Sequence, residues 1–189
     1  MKRLILSALS LLACLSAGAT HYLGIQVVDN EYLMLHFRDG EVRYRDDATG
    51  PSAYLGHSFA DGDDTLVVYQ PRLDVAAAAN ASDWKISSPD NPRFKPAFAG
   101  AAWRKSKPMN TDHTLTSELD HWIFLHLTEP MVEGFTYRVT IPAAVGADVE
   151  YAEIKFDPWN AQSEAVHVNV LGYAPQEPVK AADLCIFSN

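Results

Sequence analysis

Cysteine is scarce: Cys14 and Cys185 are the only two in 189 residues, too few for a disulfide framework. Positive charge is short as well, with 15 lysines and arginines against 24 acids and a formal net charge of −9. A nucleic-acid-binding surface needs a basic patch to neutralise phosphates, and the absence of one excludes nucleic acid as the expected partner. Long apolar runs are missing too. The longest, from Leu4 to Leu15, is broken by Ser7 and Ser10 and falls short of the ~20 residues that a membrane span requires. The sequence contains no P-loop, dinucleotide fingerprint or G-x-S-x-G elbow, and nothing in it favours a Ser/His/Asp triad. What is present, at 48% hydrophobic and 21% charged residues, is the composition of a folded chain of one or two domains.

The apolar run at the start has its own explanation. Lys2 and Arg3 precede it and Ala17-Gly18-Ala19 follow it, the layout of a secretory signal peptide over residues 1–19, cut after Ala19. The expected location is secreted or periplasmic. Leu11-Leu12-Ala13-Cys14 also resembles a bacterial lipoprotein box, so a lipid anchor on Cys14 stands as the alternative. Cleavage at either place leaves a chain more acidic than the precursor, because Lys2 and Arg3 are removed.

Beyond residue 19 the apolar pattern has period two. Leu33, Leu35 and Phe37 alternate with Tyr32, Met34 and His36, and Ile123, Leu125 and Leu127 with Trp122, Phe124 and His126. The same rhythm runs through Tyr137–Ile141, Ala152–Phe156 and Val166–Val170, and further strands are expected at Leu23–Val28, Val42–Arg45, Leu66–Tyr69, Trp84–Ser87 and Ala101–Arg104. Alternation places successive side chains on opposite faces, so each segment reads as a half-buried strand. Asp39-Gly40 suggests a tight hairpin; Glu133-Gly134, Gly146-Ala147 and Asp157-Pro158 mark later turns. Only Asp74–Ser82, with its alanines, reads as one or two helical turns. The fold class predicted is all-β, an antiparallel immunoglobulin-like sandwich.

A polar stretch with a proline, Asp157–Glu164, separates two clean strands, and the expected division is a sandwich over residues 20–158, a linker over 159–164 and a second unit from 165 to 189. Twenty-five residues are too few for an independent domain, so the second unit is expected to be the truncated start of one. Its sequence, Ala165-Val-His-Val-Asn-Val-Leu-Gly-Tyr-Ala-Pro, continuing to Lys180-Ala-Ala, resembles the opening of the immunoglobulin-like module that precedes the catalytic barrel of family 9 glycoside hydrolases. Val168, Asn169, Gly172, Tyr173, Pro175, Lys180 and Ala181 carry the likeness, while Val170 stands where the family usually has glutamine. The resemblance implies that the catalytic barrel lies downstream and that this chain is the front of a larger secreted hydrolase. Val168, Asn169, Gly172 and Tyr173, with Trp159 packing between the two units, would form an interdomain motif.

Candidate sites are few. Sugars stack on flat aromatic faces, and Trp84 and Trp103 flank proline-rich and basic segments read as loops, so both are candidate carbohydrate-binding residues. Trp122, alternating with Phe124, reads as core. No metal is expected from the seven histidines: His121 and His126, five apart, fit neither an H-E-x-x-H helix nor one face of a strand. Asp61, Asp63 and Asp64 offer the hard oxygen donors that calcium takes, although Arg72 stands where an EF-hand loop needs glutamate. No cofactor is expected. The leading functional expectation is a non-catalytic N-terminal accessory module of a secreted, cellulase-like glycoside hydrolase, with its downstream catalytic domain as the expected partner and polysaccharide as a second candidate. A carbohydrate-binding module using exposed tryptophans, and a surface adhesion or scaffold domain, are the alternatives.

Overall fold

The computed structural model describes residues 19–43, 65–67, 72–111, 115–160, 166–168, 175–176, 178–179 and 182–184. The expected signal peptide with Cys14, the acidic loop Asp61, Asp63 and Asp64, and Asn169, Gly172, Tyr173 and Cys185 lie outside the described residues.

Among the described residues the chain builds an all-β sandwich from two four-stranded antiparallel sheets. Each sheet is made of two hairpins laid side by side. In the first, β1 (His21–Val27) pairs with β2 (Tyr32–Arg38), and β7 (Ala101–Thr111) pairs with β8 (Ser117–His126). β2 then pairs with β8, giving the order β1-β2-β8-β7. In the second, β5 (Lys85–Ser87) and β6 (Ala97–Phe98) lie beside β9 (Thr136–Thr140) and β10 (Tyr151–Lys155), in the order β10-β9-β5-β6. Two shorter ladders join β3 (Glu41–Arg43) to β4 (Thr65–Val67) and β11 (Val166–Val168) to β12 (Ala182–Leu184).

The core follows from the period-two pattern. Leu33, Leu35 and Phe37 of β2 and Ile123 and Leu125 of β8 face inward, meeting Ile86, Tyr137, Val139 and Ala152 from the opposite sheet. Asp74 caps the short helix α1 (Val75–Ala78), its carboxylate accepting the backbone N–H groups of Ala76 and Ala77 at 2.9 Å. A 3₁₀ turn at Ala81–Asp83 completes the helical segment read from the alanines. Together they deliver Trp84 into the core, where its indole N–H donates to the carbonyl of Ala78 at 3.1 Å.

Three local expectations need correction. Asp39-Gly40 does not turn a hairpin: β2 pairs with β1 and β8, whereas β3 pairs with β4, so the chain changes ladder there. Gly40 has a φ of 148°, a backbone that other residues seldom adopt. Arg104-Lys-Ser-Lys-Pro is not a loop, because β7 runs through it to Thr111. β7 lies at the edge of its sheet, where Pro108 forfeits no inner-ladder hydrogen bond and lysines are well tolerated. Finally, the strands β2 and β8 are more than half buried. They occupy the centre of the first sheet, and Met34, Trp122 and Phe124 on its outer face are buried as well.

The turns at Gly134 (φ 90°) and Gly146 (φ 78°) fall where the sequence places them. At Asp157 the carboxylate accepts the N–H groups of Trp159 and Asn160, an Asx turn that leaves Trp159 84% exposed.

Candidate functional site

Two side-chain constellations stand back to back on β2 and β8, and strand geometry explains both. In register, His36 lies opposite Trp122, Phe37 opposite His121 and Arg38 opposite Asp120. Successive residues point to opposite faces, so adjacent histidine and aspartate residues on the same two strands serve different surfaces.

On the outer face, Asp120 is buried and accepts Arg38 through Nε at 2.6 Å and Nη2 at 2.9 Å, and His36 Nε2 lies 2.8 Å from its Oδ2. Burial alone would raise the Asp120 pKa. The hydrogen bonds and charges of Arg38 and His36 outweigh it and hold the group below the ordinary carboxylate range.

Above this ion cluster runs an aromatic surface. The His36 ring stacks on Trp122 at 4.6 Å with 15° between planes, and the Lys105 amine lies 5.7 Å from the centre of the Trp122 ring. Tyr32 stacks on His126 at 4.8 Å and approaches Trp103 at 6.1 Å. Trp103, Tyr32 and His126 are half-buried, whereas Trp122 and Phe124 are covered. Trp122 Nε1 is buried and, among the described residues, is the one such side-chain polar atom without a hydrogen-bond partner. A buried N–H left unpaired costs roughly 1–3 kcal/mol, so this donor favours an acceptor brought to it.

On the inner face, Asp39 and His121 form a second pair, at 2.8 Å between Oδ2 and Nε2, both buried. Asp39 Oδ1 also accepts the backbone N–H of Leu73 at 3.0 Å and the hydroxyl of Thr20. Burial would raise the Asp39 pKa, but the hydrogen bonds from His121, Thr20 and Leu73 pull it below the usual range. Thr20 is itself buried, and its backbone N–H donates to Gly146 at 2.9 Å, which ties the start of β1 to the second sheet.

The structure separates the two tryptophans proposed for sugar binding. Trp84 has no exposed surface and cannot serve as a stacking platform; it packs in the core because the alanine turn and β5 fold it inward. Trp103 lies on the outer face of the first sheet, opposite Phe124 in register. Trp122, expected in the core, is buried instead on that outer face. Four histidines among the described residues lie beside carboxylates: besides the two pairs above, His21 Nδ1 lies 2.5 Å from Asp148 and His126 Nε2 lies 4.0 Å from Glu31. Tyr32, His36 and Lys105 were not singled out in the sequence. Their signal was the non-apolar half of each alternating strand, and it became readable only once β2, β8 and β7 were known to be neighbours.

No family model, curated protein or solved structure matches this chain. Among the described residues no helix is long and apolar enough to cross a membrane.

Proposed function

We propose that the chain is an accessory module of a secreted glycoside hydrolase, and that it contacts polysaccharide through the outer face of its first sheet. The observation that carries this reading is the Trp122 indole N–H, buried and unpaired beneath an aromatic surface that leaves Trp103 and Tyr32 half-open. Flat rings beside an unsatisfied donor suit a ligand with apolar ring faces and abundant hydroxyl acceptors, which is the chemistry of a sugar chain.

Cleavage of the glycosidic bond belongs to another module in this reading. A glycosidase needs a carboxylic acid whose pKa is raised so that it can protonate the leaving oxygen. Asp120, which lies beneath the aromatic surface, is held in the opposite direction by Arg38 and His36. The likeness of residues 165–182 to the family 9 immunoglobulin-like module supplies the setting. Val168 of that motif lies on β11, paired with Ala182.

The test is affinity electrophoresis against β-1,4-glucan, xylan and mannan. Wild type should be retarded by at least one of them, and Trp103→Ala and Tyr32→Ala should each remove the retardation while keeping the wild-type circular dichroism. Unretarded migration of wild type on all three would reject polysaccharide contact.

A further inference from the structure

The inner-face pair has a third member that the polysaccharide reading does not use. Ser106 on β7 lies opposite His121 in register, and its Oγ is 2.7 Å from His121 Nδ1. With His121 Nε2 on Asp39 Oδ2 at 2.8 Å, a serine, a histidine and an aspartate form one hydrogen-bonded line.

The polarity of that line is fixed by its buried end. Asp39 Oδ1 accepts the Thr20 hydroxyl and the Leu73 N–H, its Oδ2 faces His121 Nε2, and these contacts hold the group below the ordinary carboxylate range, so it stands as a carboxylate. A carboxylate at Oδ2 orders His121 with its proton on Nε2. Nδ1 then carries the lone pair that accepts the Ser106 hydroxyl. His121 and Asp39 are buried, Ser106 is exposed, and the Arg104 guanidinium donates to the Ser106 oxygen. A hydroxyl at the surface, a base behind it and a group orienting the base make the arrangement that activates a serine, here with the two imidazole nitrogens exchanged relative to the protease triad.

We propose that Ser106 is an activated nucleophile toward ester substrates, with His121 as its base and Asp39 as the positioning residue. Ser106 Oγ attacks the ester carbonyl carbon while its proton passes to His121 Nδ1. As the carbon–oxygen bond to the alcohol breaks, His121 returns that proton to the departing alkoxide, leaving acyl-Ser106 and free alcohol. Water attacks the acyl group by the same proton route, which restores the serine and releases the carboxylic acid. The Arg104 guanidinium, bonded to Ser106 Oγ, places a positive charge beside the attacking oxygen. The activity is independent of sugar binding, because it uses the opposite face of the sheet.

The experiment treats the full chain with a fluorophosphonate probe and p-nitrophenyl acetate, locating the adduct by peptide mass spectrometry. The expected result is an adduct on Ser106 forming at least about tenfold faster than on any other serine, as a base-assisted hydroxyl allows. Ser106→Ala, an exposed substitution, should abolish it with the fold intact, and His121→Gln should slow it to the background of the other serines. Because the buried His121→Gln variant is the one that can fail to fold, the deciding measurements are the position of the wild-type adduct and its loss in the exposed Ser106→Ala variant. Labelling of Ser106 no faster than that of other serines overturns the proposal.

Discussion

The two histidine–aspartate pairs share residue types and strands, yet they differ in what surrounds them. Asp39 and His121 are both sealed from water, with side-chain exposures of 3% each. Asp120 is equally buried, but its partners are not: Arg38 is 31% exposed and His36 21%. The inner pair must therefore be satisfied entirely by protein, through Thr20, Leu73 and His121. The outer pair has cations that water can also solvate, and its carboxylate carries a redundant fork from Arg38. One residue of offset along a strand thus converts the same chemistry from a rigid, desolvated line into a half-wet cluster beneath an aromatic surface.

Breaking the inner pair should have the largest effect. In Asp39→Asn the amide N–H₂ faces either the donors at Leu73 and Thr20 or His121 Nε2, which must then take the opposite tautomer, and the buried carboxylate is lost either way. Disrupting a buried pair of this kind costs about 3–5 kcal/mol, read as a lower urea midpoint at constant slope. Asp120→Asn should cost less, about 1–3 kcal/mol, because the exposed ends of Arg38 and His36 regain water. The gap between the two variants measures what the difference in burial is worth.

Acid should sharpen the same contrast. Both carboxyl groups are pulled below their ordinary pKa, so the stability they add is complete above the unfolded-chain value near ~3.9 and is lost as pH falls through the lower folded values. Wild type should lose stability steeply below about pH 4, and each Asn variant should show a shallower decline, followed by urea unfolding from pH 6 downward to ~2. The smallest stability change is expected at Trp103→Ala, within about 1 kcal/mol because its ring is half-exposed, although polysaccharide binding should be lost.

The alternation of Leu33, Leu35 and Phe37 and of Ile123 and Leu125 made the sandwich legible, since one hydrophobic face on each strand leaves little choice of packing. The site was far less legible. Trp84 and Trp103 both sit beside polar segments in the sequence; only the inward path of the alanine turn and the extension of β7 through Pro108 distinguish a core ring from a surface one. Asp39, Ser106 and His121 are remote in sequence and follow no motif. Their meeting depends on the pairing of β2, β7 and β8, which period-two patterns do not specify. Gly40 was recognisable as a turn residue, but its work is to let the chain leave one ladder for another.

The central claim, that the outer face of the first sheet receives a sugar chain, is tested most directly at the Trp122 indole N–H. In a ¹H–¹⁵N correlation spectrum of the labelled protein, its resonance is followed while β-1,4-glucan, xylan or mannan oligosaccharide is added. One of these sugars should move the Trp122 indole signal downfield as the donor gains an acceptor, shift Trp103 alongside it, and leave the core Trp84 signal in place. An unmoved Trp122 signal with all three sugars at millimolar concentration would contradict the account.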